Sequence, residues 1–478
     1  MMILSLFGTN GVRALANKEL TPEMALRLSQ SFGAFLRRRS NKKTPAVAVG
    51  TDTRITGAML KNAVIAGLLS SGIRVIDLGI VPTPSLQYYV KNATVDAGLV
   101  VTASHNPREY NGIKLIAGDG TEFSHEDEAV VEEIYNSGKF TYADWSQTGE
   151  LLADPNANDL YVGGILSRVD QTAISGRKLR VVVDTGSGAG SLTLPVLLQR
   201  LGCQVLTVGA QPDGTFPWRN PEPVADALGE MSVLIRMFNG DLGIAQDGDA
   251  DRAVFMDENG EFIDEEIMLA IIGKFVLQKE KENGTKTGTK IGPVVTTVST
   301  SNRLTDIAKE AGADILYTKV GSIDVGRKMM ESCAVYGGEG NGGMIFPNHQ
   351  ICRDGGMAAA FVIESMIKND VKASQFKKMV PEYFNAKTKI KTSPKDPKSV
   401  MEKLTADILS PATKKEIGYA DADTIDGVKL RFKTGWLLIR PSGTEPIIRI
   451  VSESKTKEEA DKFLKIGEGI VLKNLEKK

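Results

Sequence analysis

Residues 45–79 read PAVAVGTDTRITGAMLKNAVIAGLLSSGIRVIDLG, and this stretch sets the fold class. A short apolar run of strand length enters a small polar loop, a helix-periodic segment follows, and Gly72 precedes a second apolar run. That order predicts a βαβ unit, in which a helix carries the chain back so that two strands lie parallel. The pattern recurs. KLRVVVDTGSGAG (178–190), LPVLLQRLG (194–202) and CQVLTVG (203–209) form a second copy. A weaker third copy runs IGPVVTTVSTSN (291–302), RLTDIAKEAG (303–312) and ADILYTKVG (313–321), with Gly72, Gly202 and Gly312 in matching places. Repeated βαβ units predict three related α/β/α domains with mixed, largely parallel sheets. After about Asp370, VKLRF, WLLIRPSG and TEPIIRIVSES precede a helix from Lys455, which predicts a smaller C-terminal α+β domain. Boundaries are expected near 153, 257 and 371, giving domains 1–153, 154–257, 258–371 and 372–478.

Composition bounds the function. The chain has 478 residues, 42% of them hydrophobic and 24% charged, which excludes disorder and coiled coil and gives room for several cores. Its net charge of −1 supplies no global field for nucleic acid or an anionic membrane, so any anion site must be built locally. The first residues, MMILSLFGTNGVRALANKEL, lack a basic n-region, and no run of apolar residues is long enough to span a bilayer. With Cys203, Cys333 and Cys352 forming no CxxC pair, a reducing cytoplasm is expected. The lysine-rich stretch Glu280 to Lys290 reads as a loop or linker.

Chemistry concentrates in a few places. In LGIAQDGDADRAVFMDENG, Asp247, Asp249 and Asp251 alternate between two strand-like runs, and extended backbone would turn all three carboxylates to one side. Hard oxygen ligands of this kind suit Mg²⁺. A solvated acidic hairpin turn is the alternative. An EF-hand is excluded, because Arg252 stands where that loop requires glycine.

In DAGLVVTASHNPREYNGIKLI an apolar strand ends at Thr102 and Ala103, and Ser104 opens a tight turn that Pro107 keeps from becoming helix. The chain has only His105, His125 and His349 to serve as a hydrolase base, and no GxSxG elbow. Phosphoryl attachment to Ser104 is therefore favoured over acylation, with an ordinary turn serine as the alternative.

RPSGTEPIIR places Ser442, Gly443 and Thr444 in a turn flanked by Arg440 and Arg449, a set of backbone amides, hydroxyls and forked cations matched to phosphate. In YGGEGNGGMIFP the glycines leave Glu339 and Asn341 as the side chains able to meet sugar hydroxyls, a plain flexible loop being the alternative. GSGAG (186–190) follows a strand as dinucleotide-binding loops do. Its spacing is wrong, since Ser191 stands where the fingerprint wants glycine and no acid ends the next strand.

In this order TASHNP, DGDADR, GEGNG and RPSGTEP with Arg449 resemble the phosphoserine, magnesium, sugar and phosphate loops of the α-D-phosphohexomutase superfamily, and the resemblance covers essentially the whole chain. It implies four domains around a central cleft and a phosphorylated Ser104 that donates to a hexose monophosphate. Turnover would pass through a hexose 1,6-bisphosphate, which also serves as activator. It further implies one Mg²⁺ per chain, held by Asp247, Asp249 and Asp251 together with Ser104. Three aspartates and a phosphoserine bring about −5 to the site, so cations must be near. Arg13 in FGTNGVR, Arg252, His105 and Lys114 match family motifs, with Lys114 the first choice as general acid/base and His105 its competitor. Asp52 and Arg54 in GTDTR are expected to hold the serine loop. FGTNGVR looks most like the opening of glucosamine-phosphate mutases and of archaeal phosphomannomutase/phosphoglucomutase-type members; interconversion of glucosamine 6-phosphate and glucosamine 1-phosphate is the first expectation, with mannose or glucose phosphates as the alternative. Asn341 and Gly343 depart from the GE-x-S-G-H pattern of bacterial members, and Ser322 stands where some members carry histidine, which leaves the sugar open. A non-catalytic sugar-phosphate sensor is the alternative from another class. The partner expected is a hexose phosphate, with neither nucleic acid nor membrane, and the sequence is silent on oligomeric state.

Overall fold

The computed structural model describes residues 6–8, 10–140, 142–287, 290–392, 396–442 and 446–476. Four sheets follow one another along the chain, three mixed and one antiparallel. In the first, Ala46–Thr51 lies between Arg74–Ile80 and Ala97–Val101 in parallel. Tyr110–Ala117 and Val12–Leu15 then extend the sheet antiparallel. Every residue of Ala46–Thr51 is buried, as a central strand covered on both faces requires.

The second sheet repeats the plan around Arg180–Asp184, which pairs in parallel with Gln204–Val208 and Leu242–Gln246. The third is centred on Val294–Thr297, in parallel with Ile315–Thr318 and Tyr336–Glu339. In each repeat the loops after the central strand and after one neighbour emerge at the same sheet edge, which is where α/β sheets place ligands.

The C-terminal sheet, from Phe384–Lys391 to Ile447–Ser454, is antiparallel and is covered by the helix Lys457–Glu476. The second and third units share one apolar core built around the helices Glu265–Thr287 and Gly355–Asn369. Phe262–Ile263, beyond the expected boundary at 257, pairs into the second sheet. Ala373 and Phe376, beyond the one at 371, lie in the shared core.

The reading of Glu280–Lys290 as a loop is corrected. The helix Glu265–Thr287 runs through most of it, because lysine and glutamate are good helix formers on an exposed face and one glycine is tolerated. Among the described residues no helix is long and apolar enough to cross a membrane.

Candidate active site

Ser104 is fully buried and sits in left-handed backbone at φ +52°, a conformation a serine holds only under constraint. The constraint is visible. Its amide donates to Thr102 Oγ1 at 2.9 Å, and that hydroxyl donates to Asp52 Oδ2 at 2.6 Å. Arg54 lies on the same carboxylate, Nε to Oδ2 3.1 Å, and donates to the carbonyls of Ser104, Asn106, Pro107 and Tyr110 at 2.7–2.9 Å. One buried guanidinium thus ties four carbonyls of the turn together, as GTDTR led one to expect. The Ser104 hydroxyl donates to Asp247 Oδ2 at 2.8 Å and lies 3.3 Å from His105 Nδ1.

Of the loop and strand geometries that the alternation allows, the aspartates take the loop. Leu242–Gln246 ends before Asp247, and the acids lie on a turn in which Ala250 takes φ +57°. Turning, rather than strand alternation, brings the carboxylates together. One oxygen from each of Asp247, Asp249 and Asp251 lies within 4.8 Å of the others, and all three residues are buried.

Lys114 Nζ bridges Asp249 Oδ2 at 2.7 Å and Asp251 Oδ2 at 3.3 Å, and Thr83 Oγ1 donates to Asp249 Oδ2. Asp249 Oδ1 and Asp251 Oδ1 have no hydrogen-bond partner. Burial, then the charges of Asp251 and Asp249, push the Asp247 carboxyl up to about 8, a carboxylate that a cation would keep ionised. Unpartnered buried oxygens on a hard-oxygen set such as Asp247, Asp249 and Asp251 could hold a small divalent ion such as Mg²⁺.

The lysine itself behaves differently from a lysine among cations. Burial pulls Lys114 down, but Asp249 and Asp251 more than reverse this and leave it above its ordinary value. Burial, with Arg252, Arg13 and Arg353 nearby, lowers His105 to about 2, so the imidazole is neutral.

A cleft of about 800 Å³ opens onto this centre and takes residues from all four units. Arg13 and His105 line it from the first unit and Arg252 from the second; Ser322, Glu339 and Asn341 come from the third, Arg440, Ser442 and Arg449 from the fourth. Gly443 and Thr444 lie outside the described residues. Arg440 Nε is held by Asp426 Oδ2 at 2.9 Å, and the same oxygen accepts from the Val320 amide, which ties the fourth unit to a cleft loop of the third. Glu339 accepts from the Gly321 amide at 3.0 Å.

Sequence reasoning missed four residues around the centre. Arg353 Nη2 donates to Asp251 Oδ2 at 2.6 Å and its Nη1 lies 3.7 Å from Glu339 Oε2, linking aspartate loop and sugar loop. Thr83, at the start of a helix, fixes Asp249 through side chain and backbone. Asn10 and Glu122 hold the Ser322 hydroxyl, which donates to Glu122 Oε2 at 2.6 Å.

Known proteins share this architecture. Family models for phosphoglucomutase/phosphomannomutase alpha/beta/alpha domains I, II and III and for the C-terminal domain match residues 4–142, 159–260, 264–383 and 388–465. A phosphoglucomutase/phosphomannomutase of Thermococcus kodakarensis is 47% identical over 97% of both chains. A phosphoglucosamine/phosphogalactosamine mutase of Sulfurisphaera tokodaii is 38% identical over 97% of this chain and 99% of its own. A crystal structure of a phosphoglucomutase/phosphomannomutase family protein from Burkholderia thailandensis superposes with a TM-score of 0.86, covering 100% of this chain and 99% of that one. At 24% identity that likeness bears on the fold.

Proposed function

Because this chain belongs to the phosphoglucomutase/phosphomannomutase family, we propose that it is a phosphohexomutase that moves a phosphoryl group between the 6- and 1-oxygens of a hexose monophosphate. The observation that carries this reading is the Ser104 hydroxyl held 2.8 Å from Asp247, in a strained turn whose next residues, His105 to Pro107, line a cleft rich in arginines. As a phosphoserine, Ser104 gives its phosphoryl group to the free hydroxyl of the substrate. The Oγ–P bond breaks, a sugar O–P bond forms, and the hydroxyl proton ends on the departing Ser104 oxygen. Lys114, an ammonium between two aspartates, can act in this step only as the acid that protonates Oγ, so the acceptor role passes to the neutral His105 imidazole 3.3 Å from Oγ. The hexose 1,6-bisphosphate then turns over in the cleft and returns its other phosphoryl group to Ser104. When bound, one Mg²⁺ at Asp247, Asp249, Asp251 and the serine oxygen offsets negative charge on the phosphoryl group in transfer.

In this reading Arg440, Ser442 and Arg449, with Gly443 and Thr444, hold the phosphate that is not being transferred. Glu339 and Asn341 meet the sugar hydroxyls, and Arg13 and Arg252 flank the reacting phosphoryl group. The reaction is intramolecular in its net result, and its setting is the cytoplasm.

Glucosamine phosphate is the substrate we assign first. The 47% identical relative favours glucose and mannose phosphates as the second reading. Coupled assays on the three 1-phosphates decide between them, and a kcat/KM for glucosamine 1-phosphate far below the other two overturns the first choice. Intact mass tests the mutase itself: one phosphate on the Ser104 peptide is expected. A chain that stays unphosphorylated and inactive after incubation with hexose bisphosphate is instead a sensor.

A further inference from the structure

The GSGAG loop, which resembles a dinucleotide loop without its spacing, has a different use here. Asp184 ends the central strand of the second sheet and binds Arg219, Nε to Oδ2 2.9 Å, both side chains almost fully buried. From there the guanidinium reaches the carbonyls of Asn220 and Pro221 at 3.0 and 3.1 Å and that of Gln246 at 2.6 Å. Gln246 immediately precedes Asp247, so the fork grips the root of the aspartate loop. The Ala189 amide donates to the carbonyl of Gly248, in the middle of that loop, at 3.0 Å. The contacts continue inward. A Cβ on Gly188 would lie 2.6 Å from the Gly248 oxygen, and a Cβ on Gly248 would lie 2.6 Å from the Ser104 oxygen. Three loops are therefore stacked backbone on backbone, with no side chain between them.

The first repeat uses the same device, since Asp52 follows its central strand and holds Arg54 on the carbonyls of the serine loop. The two devices are joined. The segment that carries Arg219 also lays Gly214 along Arg54 in a parallel bridge and sets the Phe216 ring 5.3 Å from its guanidinium.

We propose that Arg219, braced by Asp184, and the loop 186–190 are positioning elements that hold the aspartate loop against Ser104, and so set divalent-cation affinity at a site none of them touches. The inference rests on the reading that Asp247, Asp249 and Asp251 bind a divalent ion.

Two variants separate positioning from bulk stability. Arg219→Lys keeps the charge beside Asp184 but loses the fork that spans Asp184 and the Gln246 carbonyl. Gly188→Ala leaves the backbone at ease, since Gly188 has φ −83°, and acts only by pressing on Gly248. The full-length protein and each variant are titrated with Mn²⁺ by calorimetry, with thermal unfolding and amide exchange over 246–252 recorded on the metal-free forms. The expected result is Mn²⁺ affinity at least tenfold weaker and faster exchange over 246–252 in both folded variants. Gly188→Ala carries the test alone if Arg219→Lys does not fold. Affinity within twofold of wild type, with unchanged exchange, in a folded Gly188→Ala protein overturns the proposal, whatever happens to the unfolding temperature. Failure of the wild-type protein to bind Mn²⁺ overturns the underlying metal reading, and this inference with it.

Discussion

Lys114→Met is the sharpest single perturbation of the centre. The substitution keeps the buried stem and removes a charge that stands 2.7 Å from Asp249 and 3.3 Å from Asp251, at a residue only 1% exposed. Breaking a buried ion pair by deleting one partner costs about 3–5 kcal/mol, because the other charge stays desolvated and unpaired. The lower end applies here, since Asp251 keeps Arg353 at 2.6 Å and Asp249 keeps the Thr83 hydroxyl. At roughly 2–4 °C per kcal/mol for units of this size, the metal-free variant should unfold on the order of 10 °C below wild type. Mg²⁺ should then narrow the gap. With the competing ammonium gone, the carboxylates attract the ion more strongly, and an ion at about 100 times its Kd adds about 2.7 kcal/mol. The measurement is thermal unfolding of both proteins with and without millimolar Mg²⁺. An equal Mg²⁺-induced shift in the two proteins would show that the ion does not share these carboxylates. A metal-free variant as stable as wild type would show that the lysine is not paired in the way described here.

Other outcomes follow from the same geometry. Ser104→Ala and Ser104→Gly should both abolish turnover with the fold intact. The glycine variant should be the more stable of the two, by about 1 kcal/mol, because φ +52° is left-handed backbone that penalises a Cβ; equal unfolding midpoints in urea would count against strain in the turn. Gly248→Ala, whose Cβ would meet the Ser104 carbonyl at 2.6 Å, should lower kcat at least tenfold while leaving the unfolding temperature within a few degrees, and an unchanged kcat would mean the two loops need not touch. His125 bridges the first and third units. The nearby Asp324 carboxylate, 3.6 Å away, and then the hydrogen-bonded Glu128 at 3.2 Å raise it from 6.5 to about 10. A raised folded value means the contact stabilises fully below about pH 6.5 and fades as pH climbs toward 10. Wild type should therefore lose its stability advantage over His125→Gln across that range, and a constant difference would remove the bridge from the account.

Much of this was legible in the sequence because the chemistry is packed into short contiguous motifs. DGDADR, TASHNP and GTDTR each place their groups within a few residues of one another, and the βαβ repeats announce themselves by period and by glycine. Arg353 was not legible. It ends the strand Gln350–Arg353, reaches an aspartate 102 residues earlier in the chain, and nothing in QICRDGG marks it as a cleft residue. Thr83 and Arg219 escape for the same reason, since each acts on a loop that only the closed fold brings near. The direction of the Lys114 shift was also out of reach. Charge counting placed the lysine among cations, whereas the fold sets it between two aspartates. For the aspartate loop, alternation says that the acids share a side and leaves loop or strand open; the fold makes it a turn.

The balance of charge explains why the site needs all four units. Lys114 and Arg353 pair directly with the aspartates, Arg252 lies 3.8 Å from Asp251, and Arg13 donates to Asn106 on the serine loop. A phosphoserine adds about −2 and a divalent ion returns about as much, so the phosphorylated centre sits within about one charge of neutral before any substrate arrives. An incoming sugar phosphate therefore finds little uncompensated cation around Ser104, and its own phosphate must be met elsewhere. On the proposed reading that place is the cleft wall of the fourth unit, where Arg440, already paired with Asp426, and Arg449 line the cavity. Asp426 holds Arg440 and takes the Val320 amide in the same carboxylate, so the fourth unit's cleft wall is indexed to the third unit. If the proposed function holds, separating the two anion sites in this way would let a bisphosphate reverse its ends with a place for each phosphate.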